Sequence, residues 1–418
     1  MTGVHPRLVE AFGALDAAGV RWCLLRGRSE LDAPAGDVDL LLHPADATRA
    51  RRAFGDAEMP ALRVWAGGRQ SFFLGWDRDS ELWVYVHAVT ELSFGPFHGL
   101  RLPGMDGVLA RLERSDGVPM PAPSDRFWIT LLHGLVDKGR LDPRHRAALT
   151  ELAPFVDPRA GLAVEVDRIA SPGSGPSALL DGVRAARWED LERAAPTFRT
   201  HWGRRDPAAA VRAARHRASL LLVKIREIST RRGMGVALLA PDGGGKSRLA
   251  TALPAALYFP VRRFYMGLEG GPFANAGPSL LPGSGMLRRL AHLWRNWIEA
   301  RYHQARRRCV VFERYPYEAL LPAPEGAGLL SLARRAVLGH ALPVPDVVLV
   351  LDAPGEVLYQ RKGEHSPEGL ERDRRGYLRL AERLPQATVL DATRPFAEVR
   401  RDATAAVWRA YRRRLGSR

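Results

Sequence analysis

The chain is poor in three things. Cysteine occurs only at Cys23 and Cys309, which excludes a disulfide-stapled scaffold and a zinc site built from several thiolates. Lysine occurs only at Lys138, Lys224, Lys246 and Lys362, so arginine supplies nearly all of the 62 basic residues that outnumber 46 acidic ones and leave a net charge of +16. No run of about 18 apolar residues is present, and no membrane-spanning helix is expected. Met1 to Gly27 lacks a basic start followed by an unbroken apolar stretch, so no secretory signal is expected and a cytoplasmic location is the default.

What is there points to a multidomain protein with real cores. A length of 418 residues implies two or three domains, and 46% apolar content is ample for packed interiors. A basic balance suits an anionic substrate, a nucleic acid or an anionic membrane surface. An arginine-biased composition with solvated basic faces accounts for it equally well.

The most informative stretch is Ala240-Pro241-Asp242-Gly243-Gly244-Gly245-Lys246-Ser247. It lies between the apolar run Gly235 to Leu239 and a helix-like run beginning at Arg248. A strand, a glycine loop and a helix in that order is what a phosphate-binding P-loop needs. Glycines let backbone N–H groups close around an anion, the lysine reaches the outer phosphates, and the Ser247 hydroxyl holds Mg²⁺. The pattern begins with glycine, whereas here its first position is Ala240. Asp242, Gly243, Gly244, Gly245, Lys246, Ser247 and Arg248 are the candidate nucleotide-binding residues. A glycine-rich turn between a buried strand and a helix would use the same residue types.

Near the N-terminus, Pro6 to Ala18 reads as a helix, Val20 to Leu25 as a strand, Arg26-Gly27-Arg28-Ser29 as a loop, and Gly36 to Leu42 as a second strand carrying Asp37-Val38-Asp39. Strand alternation puts both carboxylates on one face, where they can share a divalent metal. From Val20 to Leu102 this segment resembles the nucleotidyltransferase superfamily, whose pattern is a glycine-containing loop followed by Asp-x-Asp. The resemblance implies that Asp37 and Asp39 are metal ligands. The family's third carboxylate belongs on a later strand, and the strand expected over Glu81 to Val89 offers Tyr85 and His87 there.

Between the two motifs the sequence reads as helical. Expected helices cover Ser124 to Lys138, with Ser124 as cap, Leu179 to Ala194, and a basic helix from Asp206 to Arg232, with a linker at Ser171 to Ser177. The basic helix suits a bridge between domains better than a membrane or nucleic-acid surface.

After the P-loop, Tyr258 to Met266 reads as a strand, Glu269 to Gly285 as a Gly- and Pro-rich mobile loop, and Met286 to Arg308 as an amphipathic helix. The stripe of that helix, Leu287, Leu290, Leu293, Trp294, Trp297, Ile298 and Tyr302, is expected to be core. Cys309 to Phe312 is a buried strand that delivers Glu313-Arg314-Tyr315 to its carboxyl end, where ligands sit in open parallel sheets. Asp346 to Asp352 and Val389 to Ala392 are further strands. Helices are expected at Gly355 to Gly363, Leu370 to Leu384 and Phe396 to Arg414. Arg361, Lys362, Arg372, Arg374 and Arg375 cluster between the last two strands.

From Gly233 onward the chain resembles the thymidylate kinase family of P-loop nucleotide kinases. Its carriers are Asp242 to Ser247, Glu313-Arg314-Tyr315 in place of Asp-Arg-Tyr, the strand end Leu351-Asp352-Ala353-Pro354, and the lid-like run from Arg361 to Arg375. The resemblance implies ATP with Mg²⁺ as donor, Asp242 near the acceptor, Arg314 on the transferring phosphates, lid arginines over the donor, and the loop from Ala392 against adenine. The catalytic candidates are Lys246, Glu313, Arg314, Arg361, Arg372 and Arg375.

The expected fold is α/β. A nucleotidyltransferase-like domain spans residues 1–120, a helical extension and linker helix 121–232, and a P-loop kinase domain with a helix-flanked parallel sheet 233–418. The expected activity is ATP-dependent phosphoryl transfer to a small nucleotide-like or sugar-phosphate-like acceptor. The alternatives are nucleotidyl transfer through Asp37 and Asp39, alone or together with the kinase, and a non-enzymatic nucleotide-regulated protein. Nucleic acid is not favoured as a partner, and a homodimer is compatible with the sequence.

Overall fold

The computed structural model describes residues 3–62, 70–229, 233–267, 284–323, 326–363 and 365–416. The chain divides into two compact units. One contains Met1–Asp77 and Leu82–Lys224, the other Arg78–Glu81 and Ile225–Arg418. No helix among the described residues is long and apolar enough to cross a membrane.

The first unit is built on a mixed sheet. Strands β1 (Trp22–Leu24), β2 (Asp37–Leu42), β3 (Ala61–Leu62), β4 (Gln70–Trp76) and β5 (Trp83–Val89) lie in the order β1-β2-β5-β4-β3. The central pair β2 and β5 is parallel and its neighbours are antiparallel. Along β5, Val84, Val86 and Ala88 are buried while Tyr85 and His87 are only half-buried. Helix Pro6–Ala17 buries Leu8, Phe12 and Leu15 with Val84 and Val86 in one core. Cys23, Leu25 and Leu41 belong to a second core, shared with Phe127, Trp128, Leu131 and Trp202. The helices after Pro121 therefore share a core with the strands and fall in the same compact unit.

Three helix boundaries differ from the sequence reading. Pro123 starts the helix expected at Ser124, and the α-helix stops at Leu132, continuing as a wider π-turn over His133–Lys138 that ends at Gly139 with φ 69°. The helix expected over 179–194 is two helices, Pro176–Arg184 and Trp188–Arg205, separated by Ala186 at φ 51°. Asp206 does not open the basic helix. It caps the end of Trp188–Arg205, and the following helix is Ala209–Ser229. The end of the expected helix, 230–232, lies outside the described residues.

The second unit has a five-stranded, all-parallel sheet flanked by helices. Strands β6 (Gly235–Leu239), β7 (Val261–Tyr265), β8 (Cys309–Glu313), β9 (Val347–Asp352) and β10 (Ala387–Asp391) lie in the order β7-β8-β6-β9-β10. Strand β6, which leads into the glycine loop, is central and buried along its whole length. Its neighbours lie on opposite sides and are reached by crossovers in opposite directions, so a crevice opens at the carboxyl ends of β6, β8 and β9. The helix Leu329–Gly339 has no counterpart in the sequence reading. The expected Gly- and Pro-rich loop lies outside the described residues over 269–283, and Ser284 and Gly285 already begin helix Ser284–Ala305.

One expectation about the core fails. Of the stripe on Ser284–Ala305 only Leu293 is fully buried, with Leu290 and Trp297 packed beside it. Leu287, Trp294, Ile298 and Tyr302 are exposed. Apolar residues wrap more than one face of this helix, and the sheet covers only the face that carries Leu293 and Ala300.

Candidate phosphate-binding site

The loop between β6 and helix Lys246–Ala256 is shaped by its glycines. Gly243 and Gly245 sit at φ 81° and 89°, where side chains are strained. A Cβ on Gly243 would lie 2.5 Å from the Leu358 carbonyl oxygen, and one on Gly244 would lie 2.6 Å from the Ala240 Cβ. The Ala240 methyl, where the motif has glycine, is accommodated because residue 244 has none.

Lys246 is buried, and its Nζ donates to the carbonyl oxygens of Ala240 at 2.6 Å and Pro241 at 2.8 Å. Burial, reinforced by the charge of Arg314, lowers its pKa to about 8. Ser247 Oγ donates to Glu313 Oε1 at the end of β8. Arg263 Nη2 reaches the other Glu313 oxygen at 3.3 Å. This pairing of a hydroxyl with a carboxylate is an oxygen donor set of the kind Mg²⁺ takes.

Arg314 follows at φ 64°, and its backbone N–H donates to the Leu238 carbonyl at 3.1 Å, which seats it beside the glycine loop. Its Nη2 donates to Asp242 Oδ1 at 2.8 Å, and its Nη1 to both oxygens of Glu318 at 3.0 and 3.2 Å. Asp242 also lies 3.8 Å from Lys246, 3.9 Å from Lys362 and 4.0 Å from His365. Burial alone would raise the Asp242 pKa, but Lys246, Arg314 and Lys362 hold it below the usual carboxylate range.

The remaining candidates divide. Arg361 donates to the Ala392 carbonyl at 2.8 Å, tying helix Gly355–Lys362 to the loop after β10. Arg248 stacks its guanidinium 4.1 Å from the ring centroid of Phe396, beside the same loop. Arg372 and Arg375 are exposed on helix Pro367–Arg383, Arg375 being 3.4 Å from Glu371. Arg374 is locked to Asp352 at 2.6 and 3.0 Å and to Glu371 at 3.1 Å. The geometry thus brings Asp242, Lys246, Ser247, Glu313 and Arg314 together and leaves Arg372 and Arg375 outside that cluster.

Sequence reasoning missed Glu318, Tyr377 and Arg263. Glu318 stands four residues after Arg314, a charge spacing that could have been noticed. Tyr377 donates to Glu318 at 3.0 Å from a distant helix, and nothing local marks it.

In the first unit, Asp37 and Asp39 stand on one face of β2. The register places Tyr85 beside Asp37 and His87 beside Asp39. Arg26 bonds Asp39 Oδ2 through Nε at 2.9 Å and Nη2 at 2.8 Å. His87 Nδ1 is 3.0 Å from Asp39 Oδ1, its ring stacks on Phe72, and its Nε2 is buried with no hydrogen-bond partner among the described residues. Burial would raise the Asp39 pKa, but His87 and Arg26 bring it below the ordinary value. Burial and the Asp39 charge push Asp37 the other way. A divalent ion at Asp39 would have to displace Arg26 or His87. Among the described residues no three His, Cys, Asp or Glu side chains are grouped to hold a metal ion.

No protein-family model matches this chain, and no curated protein sequence matches it.

Proposed function

We propose that the second unit is an ATP-dependent phosphotransferase of nucleotide-kinase type, moving the γ-phosphoryl group of ATP to a small anionic acceptor. The observation that carries this reading is the convergence of Lys246, Arg314 and Lys362 around Asp242 at the carboxyl end of the central strand. Phosphoryl transfer needs little covalent help from the protein, and catalysis rests on positioning and on positive charge where the phosphates carry negative charge.

Each residue then has a task. The N–H groups of Gly243 to Ser247 cradle the donor phosphates. Lys246 leaves the carbonyls of Ala240 and Pro241 to meet the outer phosphates. Arg314, held between Asp242 and Glu318, offers its planar fork to the group in transfer. Asp242 orients the acceptor. Arg361 fixes the Ala392 loop on which the base of the donor rests, with Arg248 and Phe396 beside it. Mg²⁺ would be held by Ser247 and Glu313, and when bound it supplies charge neutralisation at the phosphates.

The experiment is ADP formation by the full chain with ATP and Mg²⁺, screened against nucleosides, nucleoside monophosphates and sugar phosphates. Acceptor-dependent ADP that disappears in Lys246→Ala is expected. Wild-type turnover in that variant sinks the assignment.

A further inference from the structure

The first unit carries a cavity of about 540 Å³ that phosphoryl transfer in the second unit does not use. That is the size of a small-molecule site. Part of its wall is apolar, from Leu25, Val89, Leu92, Phe94, Ile129 and Val136. The rest is charged, and most of its acids are already answered within the unit. Asp39 is held by Arg26 and His87. Glu91 pairs with Arg101. Asp137 accepts from the Gly95 N–H at 2.6 Å and pairs with His133 at 2.8 Å.

Two cations in the wall are left over. Arg199 makes no hydrogen bond or ion pair with another described residue. The Lys138 side chain makes no hydrogen bond or ion pair with another described residue and meets the through-space charge of Asp37. A guanidinium and an ammonium facing a partly apolar cavity call for an oxyanion carried on an organic body. A divalent cation calls for free carboxylates. Here Asp39, the more buried of the two aspartates, already has a guanidinium on one oxygen and an imidazole on the other. Arg26, at the end of β1, delivers to Asp39 the positive charge a metal would bring.

We propose that this cavity binds a small organic anion directly, its phosphate or carboxylate head on Arg199 and Lys138 and its body against the apolar wall, with no divalent metal ion. The cavity lies wholly within the first unit, so its occupancy does not depend on whether the second unit transfers phosphate.

Calorimetric titration of the full chain in EDTA tests this, with phenyl phosphate and benzoate as probes. At least one probe binds, with affinity reduced tenfold or more in Arg199→Ala, reduced also in Lys138→Ala, and unchanged in Lys246→Ala. Which probe binds distinguishes a phosphate from a carboxylate head. Both substituted side chains lie outside the core, and a thermal melt confirms that the variants are folded. A companion Mn²⁺ titration followed by electron paramagnetic resonance shows no bound ion that depends on Asp39. Failure of both probes to bind, binding lost in Lys246→Ala but kept in Arg199→Ala, or Mn²⁺ held by the wild type and released in Asp39→Asn overturns the proposal.

Discussion

Arg314 and Glu318 are joined through both oxygens of one carboxylate, at 3.0 and 3.2 Å. Tyr377 donates to the same carboxylate at 3.0 Å, so the guanidinium is fixed from two elements of the fold. Arg314 occupies a left-handed backbone conformation at φ 64°, which costs a non-glycine residue about 1 kcal/mol or more and persists only where its surroundings hold it. Glu318→Gln weakens that hold without touching the phosphates. In steady-state kinetics it is expected to lower kcat about 10- to 100-fold with little change in KM for ATP. Tyr377→Phe shifts kcat the same way by less, and Arg314→Lys, which loses the planar fork, costs about 100-fold or more. An equal rise in KM with unchanged kcat would assign Glu318 to donor binding instead.

Burial brings the Lys246 pKa down to about 8, below the ordinary lysine value, and on the proposed function this makes nucleotide binding pH-dependent. Burial and Arg314 disfavour the charged ammonium, whereas bound phosphates favour it. Binding near pH 8 therefore takes up about half a proton, and at pH 6.5, where the ammonium is already formed, almost none. Affinity falls as pH rises above 8. Calorimetry of ATP binding in two buffers of different ionisation heat measures the uptake directly, and Lys246→Ala abolishes it.

Gly243 joins an unusual backbone angle to a tight approach, since a Cβ there would meet the Leu358 carbonyl at 2.5 Å. The contact is with backbone, not with the far end of a flexible side chain. Gly243→Ala is expected to cost about 2 kcal/mol and to weaken ATP binding much more than the matched change Gly245→Ala, whose Cβ would enter open space. Thermal unfolding and an ATP titration of the two variants side by side check this.

The glycine loop and the strand that presents it were legible because they are local. Glycine spacing, an apolar pentapeptide and a lysine next to a serine are adjacent in sequence, and the parallel strands Cys309–Glu313 and Val347–Asp352 announce themselves as apolar runs ending in charge. The settings of Arg361 and Arg374 were not legible. Both read as lid cations, yet one bonds the Ala392 carbonyl and the other Asp352, and only tertiary packing decides which arginine of a cluster is spent on the protein itself. The exposed Trp294 and Ile298 teach the same lesson for packing, since helical spacing says which residues share a face but not which face the sheet will cover. At Asp39 the motif gave the acid and its face, while the register that sets His87 beside it is a property of the folded sheet.

In the first unit Asp46 is 1% exposed and accepts from the Arg21 backbone at 3.1 Å and its Nε at 2.8 Å, with Arg49 on its other oxygen. The Arg21 hydrogen bond holds its carboxyl well below the ordinary range. A depressed carboxylate contributes stability above its unfolded pKa of about 4 and loses it as pH falls below that value. Both guanidinium groups are about half exposed, which limits the effect. Asp46→Asn is expected to cost about 1–2 kcal/mol at pH 7, and the gap to wild type narrows below pH 4. Thermal unfolding of the full chain at the two pH values measures both.

The most direct test of the central claim is ³¹P NMR of the full chain turning over ATP with Mg²⁺ and the acceptor found by screening. Transfer of the γ-phosphoryl group predicts that the ATP resonances give way to those of ADP and one new phosphorylated product, with no pyrophosphate signal, and that the spectrum stays unchanged in Lys246→Ala. Pyrophosphate appearing in place of ADP, or ADP forming at the wild-type rate without Lys246, would contradict the account.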